Sequence, residues 1–174
     1  MILLRLRPAS RSDVANAIKK MRAMEIYVDA DACPVKPEIL RVATRHNLIV
    51  HMVSNSWMRL DESPLIKPVV VGDAADAADD WIAEQLTPSD IVVTADILLA
   101  ARALKAGAHC VGPAGKPFSD ANIGMALAMR DMQRHLRETG ESRGYTAAFT
   151  ARDRSQFLQA LEHAVQAALR RRAP

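Results

Sequence analysis

Glu25-Ile26-Tyr27-Val28-Asp29-Ala30-Asp31-Ala32-Cys33-Pro34-Val35-Lys36 decides how the rest of the chain is read. A short apolar run of strand-forming residues ends abruptly in two carboxylates. A proline then stands where a helix would begin. A strand that passes through an acidic turn into a helix is the opening unit of a parallel α/β sheet. In such sheets ligands bind beyond the carboxyl ends of the strands.

Downstream, the same alternation repeats. Val35, Ile39, Val42 and Ala43 give an apolar stripe, so a helix is predicted from Cys33-Pro34 to near Asn47. Cys33 is read as its small N-cap and Pro34 as its first helical residue. Leu48–Val53 is a second strand, Ser54–Lys67 a polar loop, and Val69–Val71 a short buried strand. Asp73 is the expected N-cap of a helix running through Leu86 and stopped by Thr87-Pro88. Ile91–Val93 is a fourth strand. A helix from Asp96 to Ala106 follows, closed by Gly107, and Ala108–Val111 is a fifth strand. A loop from Gly112 to Pro117 ends the alternation. Two further helices are expected at about 120–138 and 153–171. Continuous apolar strands imply a sheet covered on both faces. The expectation is one α/β domain over residues 24–172: three layers, a mainly parallel sheet of about five strands flanked by helices, and two extra C-terminal helices.

Composition bounds the rest. The chain has 174 residues, 49% hydrophobic but only 4% aromatic, so Ala, Val, Leu and Ile must fill the core. No apolar run approaches the ~20 residues that span a bilayer, so no membrane association is expected. With Cys33 and Cys110 the only cysteines, there is no disulfide framework, which points to a reducing, cytoplasmic setting. The net charge is +3, but residues 1–23 carry six basic residues against Asp13 alone, which leaves the remainder at −2. A basic pI therefore gives no case for nucleic-acid binding by the central body. Residues 1–23 are expected to be an extension dispensable for folding, with Met24 as an alternative start.

Three strands run into carboxylates: Asp29 and Asp31 after the first, Asp73, Asp76, Asp79 and Asp80 after the third, Asp96 after the fourth. Asp76 and Asp80 are four apart and share a helix face; Asp79 falls at the edge of the buried stripe, either a special buried acid or a capping aid. Crowded carboxylates need raised pKa values or a bound divalent cation, and hard cations such as Mg²⁺ or Mn²⁺ take oxygen ligands. The expected metal ligands are Asp29, Asp76, Asp80 and Asp96, with Asp31 a further catalytic candidate and Lys36 and Thr94 substrate contacts. Taken singly, Asp73, Asp76 and Asp96 could each serve only a helix dipole. Cys33 at a helix N-terminus could have a lowered pKa, though no histidine lies near it in sequence. Trp57 and Trp81 could stack on bases but equally suit packing.

The run Tyr27–Lys36, the segment Asp76-Ala77-Ala78-Asp79-Asp80-Trp81-Ile82 and the segment Ile91–Ala100 containing Thr94-Ala95-Asp96 resemble the three acidic motifs of the YaiI/YqxD family of uncharacterised bacterial proteins. The resemblance extends through Asn122-Ile123, Ala128–Asp131 and Phe149–Phe157, covering Met24 to about Leu169. It implies a PIN-like fold, shared by many metal-dependent ribonucleases. Carried over, it points to Asp29, to Asp76 or Asp80, and to Asp96, with RNA as the expected partner and Lys36, Arg59 or Lys116 offsetting repulsion at the acidic edge. Asp29-Ala30-Asp31 also resembles the Asp-x-Asp signature of haloacid-dehalogenase-type phosphatases, with Asp29 as nucleophile. A non-catalytic RNA- or protein-binding domain is the third class.

Overall fold

The structure, a computed structural model, describes residues 22–31, 33–140 and 148–172. Six strands are numbered in chain order: β1 Glu25–Asp29, β2 Ile49–Ser54, β3 Ile66–Val70, β4 Ile91–Val93, β5 His109–Val111 and β6 Pro117–Phe118. The five described helices are α1 Lys36–His46, α2 Ala77–Gln85, α3 Ile97–Lys105, α4 Asp120–Glu138 and α5 Ala151–Arg172. The strands form one sheet in the order β3-β2-β1-β4-β5-β6. All neighbouring pairs are parallel except β5 with β6.

Alternation along the strands makes the layers. Ile26 and Val28 of β1, with Val50, Met52, Ile91, Val93 and Val111, face α1 and α5, where Ile39, Val42, Phe157, Leu161 and Val165 meet them. Tyr27, Val53, Val92 and Cys110 point the other way, against Ala78 and Ile82 of α2 and Leu99, Ala100 and Ala103 of α3. With both faces covered, the central strands read as unbroken apolar runs. Phe157 is fully buried, and its truncation to Ala would cost about 3–5 kcal/mol. α4 lies outside these layers: it leans on α3 and buries none of its residues completely.

Several element boundaries differ from the sequence reading. α1 begins at Lys36, with Val35 as its N-cap and Pro37 in its first turn, so Cys33 and Pro34 belong to the preceding turn. At the other end Asn47 takes a left-handed conformation (φ 53°) and closes the helix. β3 starts at Ile66, inside the expected polar loop, because this edge strand keeps Lys67 and Pro68 exposed and so lacks a buried-strand signature. α2 starts at Ala77 with Asp76, not Asp73, as N-cap. β6 is a sixth strand, two residues long, folded back on β5. Its turn depends on Gly115, at φ +82°, where a Cβ would sit 2.5 Å from the backbone carbon of Gln156.

At the amino end of the sheet a polar network gathers around the buried Asp90. Asp90, 0% exposed, accepts hydrogen bonds from the Thr87 N–H (2.7 Å), the Thr87 hydroxyl (2.8 Å) and the Glu25 N–H (3.0 Å). It also pairs with Arg22. Arg22 in turn bonds Glu25 and the Gln85 carbonyl, and its own carbonyl accepts from Arg172. Glu25 accepts from the Tyr27 hydroxyl and contacts the His51 ring, which stacks on Tyr27 at 4.7 Å. The expectation that residues 1–23 are dispensable falls, apart from Arg22 and Ala23, outside the described residues. Among the described residues no helix is long and apolar enough to cross a membrane.

Candidate functional site

The carboxyl ends of β1 and β4 lie side by side, because these strands are paired from Ile26–Ile91 to Val28–Val93. That pairing sets Asp29, the last residue of β1, next to Thr94, the first residue beyond β4. The buried Thr94 hydroxyl donates to Asp29 Oδ2 (3.0 Å) and accepts from the Asp96 N–H (2.9 Å). One hydroxyl thus ties the two acidic strand ends together. Asp96 is the N-cap of α3, its Oδ1 accepting from the N–H groups of Leu98 (2.7 Å) and Leu99 (3.1 Å). Asp31, in the exposed turn after β1, accepts from the Asn55 N–H at the end of β2 (2.9 Å).

Electrostatics single out two carboxyls. Burial pushes the pKa of Asp29 up, against the pull of the Thr94 hydrogen bond, and the negative charges of Asp31 and Asp96 push it further. Asp79, in the first turn of α2, is raised to about 6 by burial and then by Asp96, Asp29 and Asp76, with Arg102 pulling the other way. Asp79 accepts no hydrogen bond among the described residues. It therefore sits in the field of three other carboxylates without a donor of its own.

The structure brings together Asp29, Asp31, Thr94 and Asp96 of the expected set. Asp76, exposed at the α2 N-cap, reaches them through its effect on Asp79. Asp80 is turned away: it is 61% exposed and pairs with Arg102 at 2.8 Å. Asp79, rather than the expected ligand Asp80, is the α2 carboxyl that feels Asp29 and Asp96. The signal was its place at the edge of the apolar stripe of Ala78 and Ile82. Lys36 donates to the Cys33 carbonyl (3.0 Å), which fixes the turn after β1. Cys33 is buried, and burial raises its thiol pKa, the opposite of an activated nucleophile. Of the tryptophans, Trp57 is 79% exposed, while Trp81 packs near the Tyr27–His51 stack.

Beside the acids opens a cleft of about 420 Å³, lined by Asp76, Asp79 and Asp80 and by Leu98, Arg102, Lys105 and Leu127. A larger cavity of about 590 Å³ runs between β5, the β5–β6 turn and α5, past His109, Lys116 and Gln156; none of the carboxylates lines it. Among the described residues no three His, Cys, Asp or Glu side chains converge into a metal cage. The donor chemistry is that of an open, all-carboxylate edge. Mg²⁺ keeps several waters and takes one or two carboxylates, so such an edge suits it better than a cage would.

Comparison with known proteins agrees with the motif reading. Residues 27–167 match the model of the uncharacterised YaiI/YqxD family. The chain is 61% identical over 150 residues to a UPF0178 protein of Parvibaculum lavamentivorans, covering 86% of this chain and 98% of that one. It is 55% identical over 154 residues to a UPF0178 protein of Mesorhizobium japonicum, covering 88% and 99%. A UPF0178 protein of Rhizobium meliloti is 61% identical over 137 residues, covering 79% and 94%. No solved structure matches significantly. The chain belongs to the YaiI/YqxD family.

Proposed function

We propose that this YaiI/YqxD-family protein is a PIN-like, divalent-metal-dependent nuclease that hydrolyses phosphodiester bonds in single-stranded RNA. The observation that carries the reading is the convergence of the Asp29 carboxylate and the Asp96 N–H on the Thr94 hydroxyl, which sets two acidic strand ends side by side. Carboxylates crowded at one sheet edge, with a single donor for Asp29 and none for Asp79 among the described residues, are costly to folding, and a cation would offset that cost. The three-layer arrangement with a parallel sheet supports the PIN-like reading of the fold.

Asp29 and Asp79, with Asp96 and Asp76 at the rim, are the residues that would hold Mg²⁺ or Mn²⁺. The cation supplies Lewis-acid polarisation of a phosphoryl oxygen and makes water a stronger acid. The chain's own groups do the rest. Thr94 fixes the rotamer of Asp29 through its hydroxyl and ties it to the Asp96 backbone. The Asn55 N–H holds Asp31 at the margin. Arg102 and Lys105 line the adjoining cleft and would offset the charge of a phosphate backbone, with Leu98 and Leu127 offering apolar surface to a base. Lys36 donates to the Cys33 carbonyl in the acidic turn, from where it would also meet a substrate phosphate, and Lys116 borders the separate cavity along α5.

The test is cleavage of an end-blocked single-stranded RNA in Mn²⁺, by wild type and by Asp29→Asn. The expected result is internal cleavage that falls about a hundredfold in the variant, ~2.7 kcal/mol of transition-state stabilisation. Release of phosphate from p-nitrophenyl phosphate without RNA cleavage would instead favour the phosphatase reading, which also uses Asp29 beside a strand-end threonine. Metal binding with neither activity would leave the binding-module class.

A further inference from the structure

The cavity of about 590 Å³ between β5, the β5–β6 turn and α5 shares no lining residue with the acidic edge. Its volume falls within the range of small-molecule sites. Alternation along β5 places His109 on the face of Val111, toward α5, while Cys110 points the other way. His109 Nε2 is buried, and among the described residues it is the one buried side-chain nitrogen or oxygen without a hydrogen-bond partner. A polar atom orphaned in this way costs folding energy until something completes it. Burial, and then the charge of Arg171, hold the His109 pKa below its ordinary value. The ring is therefore neutral at pH 7, with one nitrogen protonated and the other free to accept.

The rest of the lining has the chemistry of a particular ligand. Gln156, Gln159 and His163 follow one another at three and four residues along α5, so they share one helix face on the cavity. The two carboxamides each offer donors and an acceptor, which matches the mixed edge of a heterocyclic base. Phe118 of β6 adds flat apolar surface of the kind on which bases stack. Lys116, exposed in the β5–β6 turn, supplies a cation at the rim. No Asp or Glu lines the cavity, so an anion meets no like charge there. A ribose hydroxyl both donates and accepts, so it satisfies His109 Nε2 in either tautomer.

We propose that this cavity binds a nucleoside monophosphate, with its base against Phe118 and the glutamines, its phosphate toward Lys116 and its sugar on His109 Nε2. The site needs neither metal nor carboxylate, so it stands apart from the chemistry of the acidic edge.

The test is calorimetric titration of the full chain with adenosine, guanosine, cytidine and uridine 5′-monophosphates, in EDTA to keep metal from the acidic edge. At least one should bind, and inorganic phosphate should bind at least tenfold more weakly. Lys116→Ala should weaken binding tenfold or more. His109→Phe should do the same yet melt at or above the wild-type temperature, because it removes an unsatisfied nitrogen and keeps a ring in place. No binding of any of the four at millimolar concentration overturns the proposal. So does phosphate that binds as tightly as the nucleotides, and so does binding indifferent to Lys116→Ala. A His109→Phe protein that melts well below wild type also overturns it, because the histidine would then serve the fold.

Discussion

At the amino end of the sheet the wholly buried Asp90 receives two hydrogen bonds from Thr87, one from the Glu25 N–H and the charge of Arg22. At the carboxyl end of the same strands Asp29 receives one hydrogen bond, from Thr94, and Asp79 none among the described residues. Burial raises the pKa of all three, but only at the amino end is it opposed by several donors and a cation. Glu25, also in the amino-end network, is raised by burial yet ends below its usual value, pulled down by the His51 hydrogen bond, Arg22 and Tyr27. A carboxylate ringed by donors holds the fold together. A carboxylate ringed by other carboxylates works against it.

The largest expected effect comes from breaking the satisfied side. Asp90→Ala strands the Arg22 guanidinium and the Glu25 and Thr87 donors, and should cost about 3–5 kcal/mol in urea unfolding. An Asp90→Ala protein as stable as wild type would dissolve the contrast. Filling the other side should stabilise. Mg²⁺ or Mn²⁺ at a hundredfold excess over its dissociation constant should add ~2.7 kcal/mol, read as a thermal shift. Asp29→Asn and Asp79→Asn should remove that gain; a shift that survives both would place any cation elsewhere. A chain starting at Met24 loses Arg22 and with it the charge-assisted bond to Asp90, so it should lose about 2 kcal/mol relative to a chain starting at Arg22. Equal melting of the two would show that Thr87 and the Glu25 N–H suffice for Asp90.

The smallest effect is the dependence on pH. Asp79 holds its proton more tightly folded, at about 6, than unfolded, at 3.8. The native state therefore binds more protons between those values, and this group's contribution to stability falls as pH rises from about 4 through 6. Asp79→Asn should flatten that slope in metal-free buffer and leave the protein slightly more stable at pH 7. An unchanged slope would show that Asp79 is solvated like an ordinary surface acid.

Much of this was legible in the chain. β1, β4 and the placement of Asp29, Thr94 and Asp96 could be read because buried parallel strands are apolar on both faces and stop sharply. Asp79 was harder. Helical spacing put it at the edge of the buried stripe, but spacing alone does not separate a buried acid from a capping one. The late start of α2 and the cation at Arg102 decide it, drawing Asp80 outward. β3 and β6 were obscured for a different reason. Edge strands are half solvated, so Lys67, Pro68 and Pro117 read as loop. The cap of α1 was misplaced because both Pro34 and Pro37 are compatible with a helix start, and only packing of Val35 into the core chooses between them.

Those two edge prolines have a consequence for behaviour in a crowded cell. A sheet rim normally presents a row of free N–H and C=O groups that can recruit a stray strand and seed fibrous aggregates. Here β3 contains Pro68 and β6 contains Pro117, and proline has no N–H to offer. Each rim is therefore an incomplete template, so a neighbouring molecule cannot readily continue the ladder.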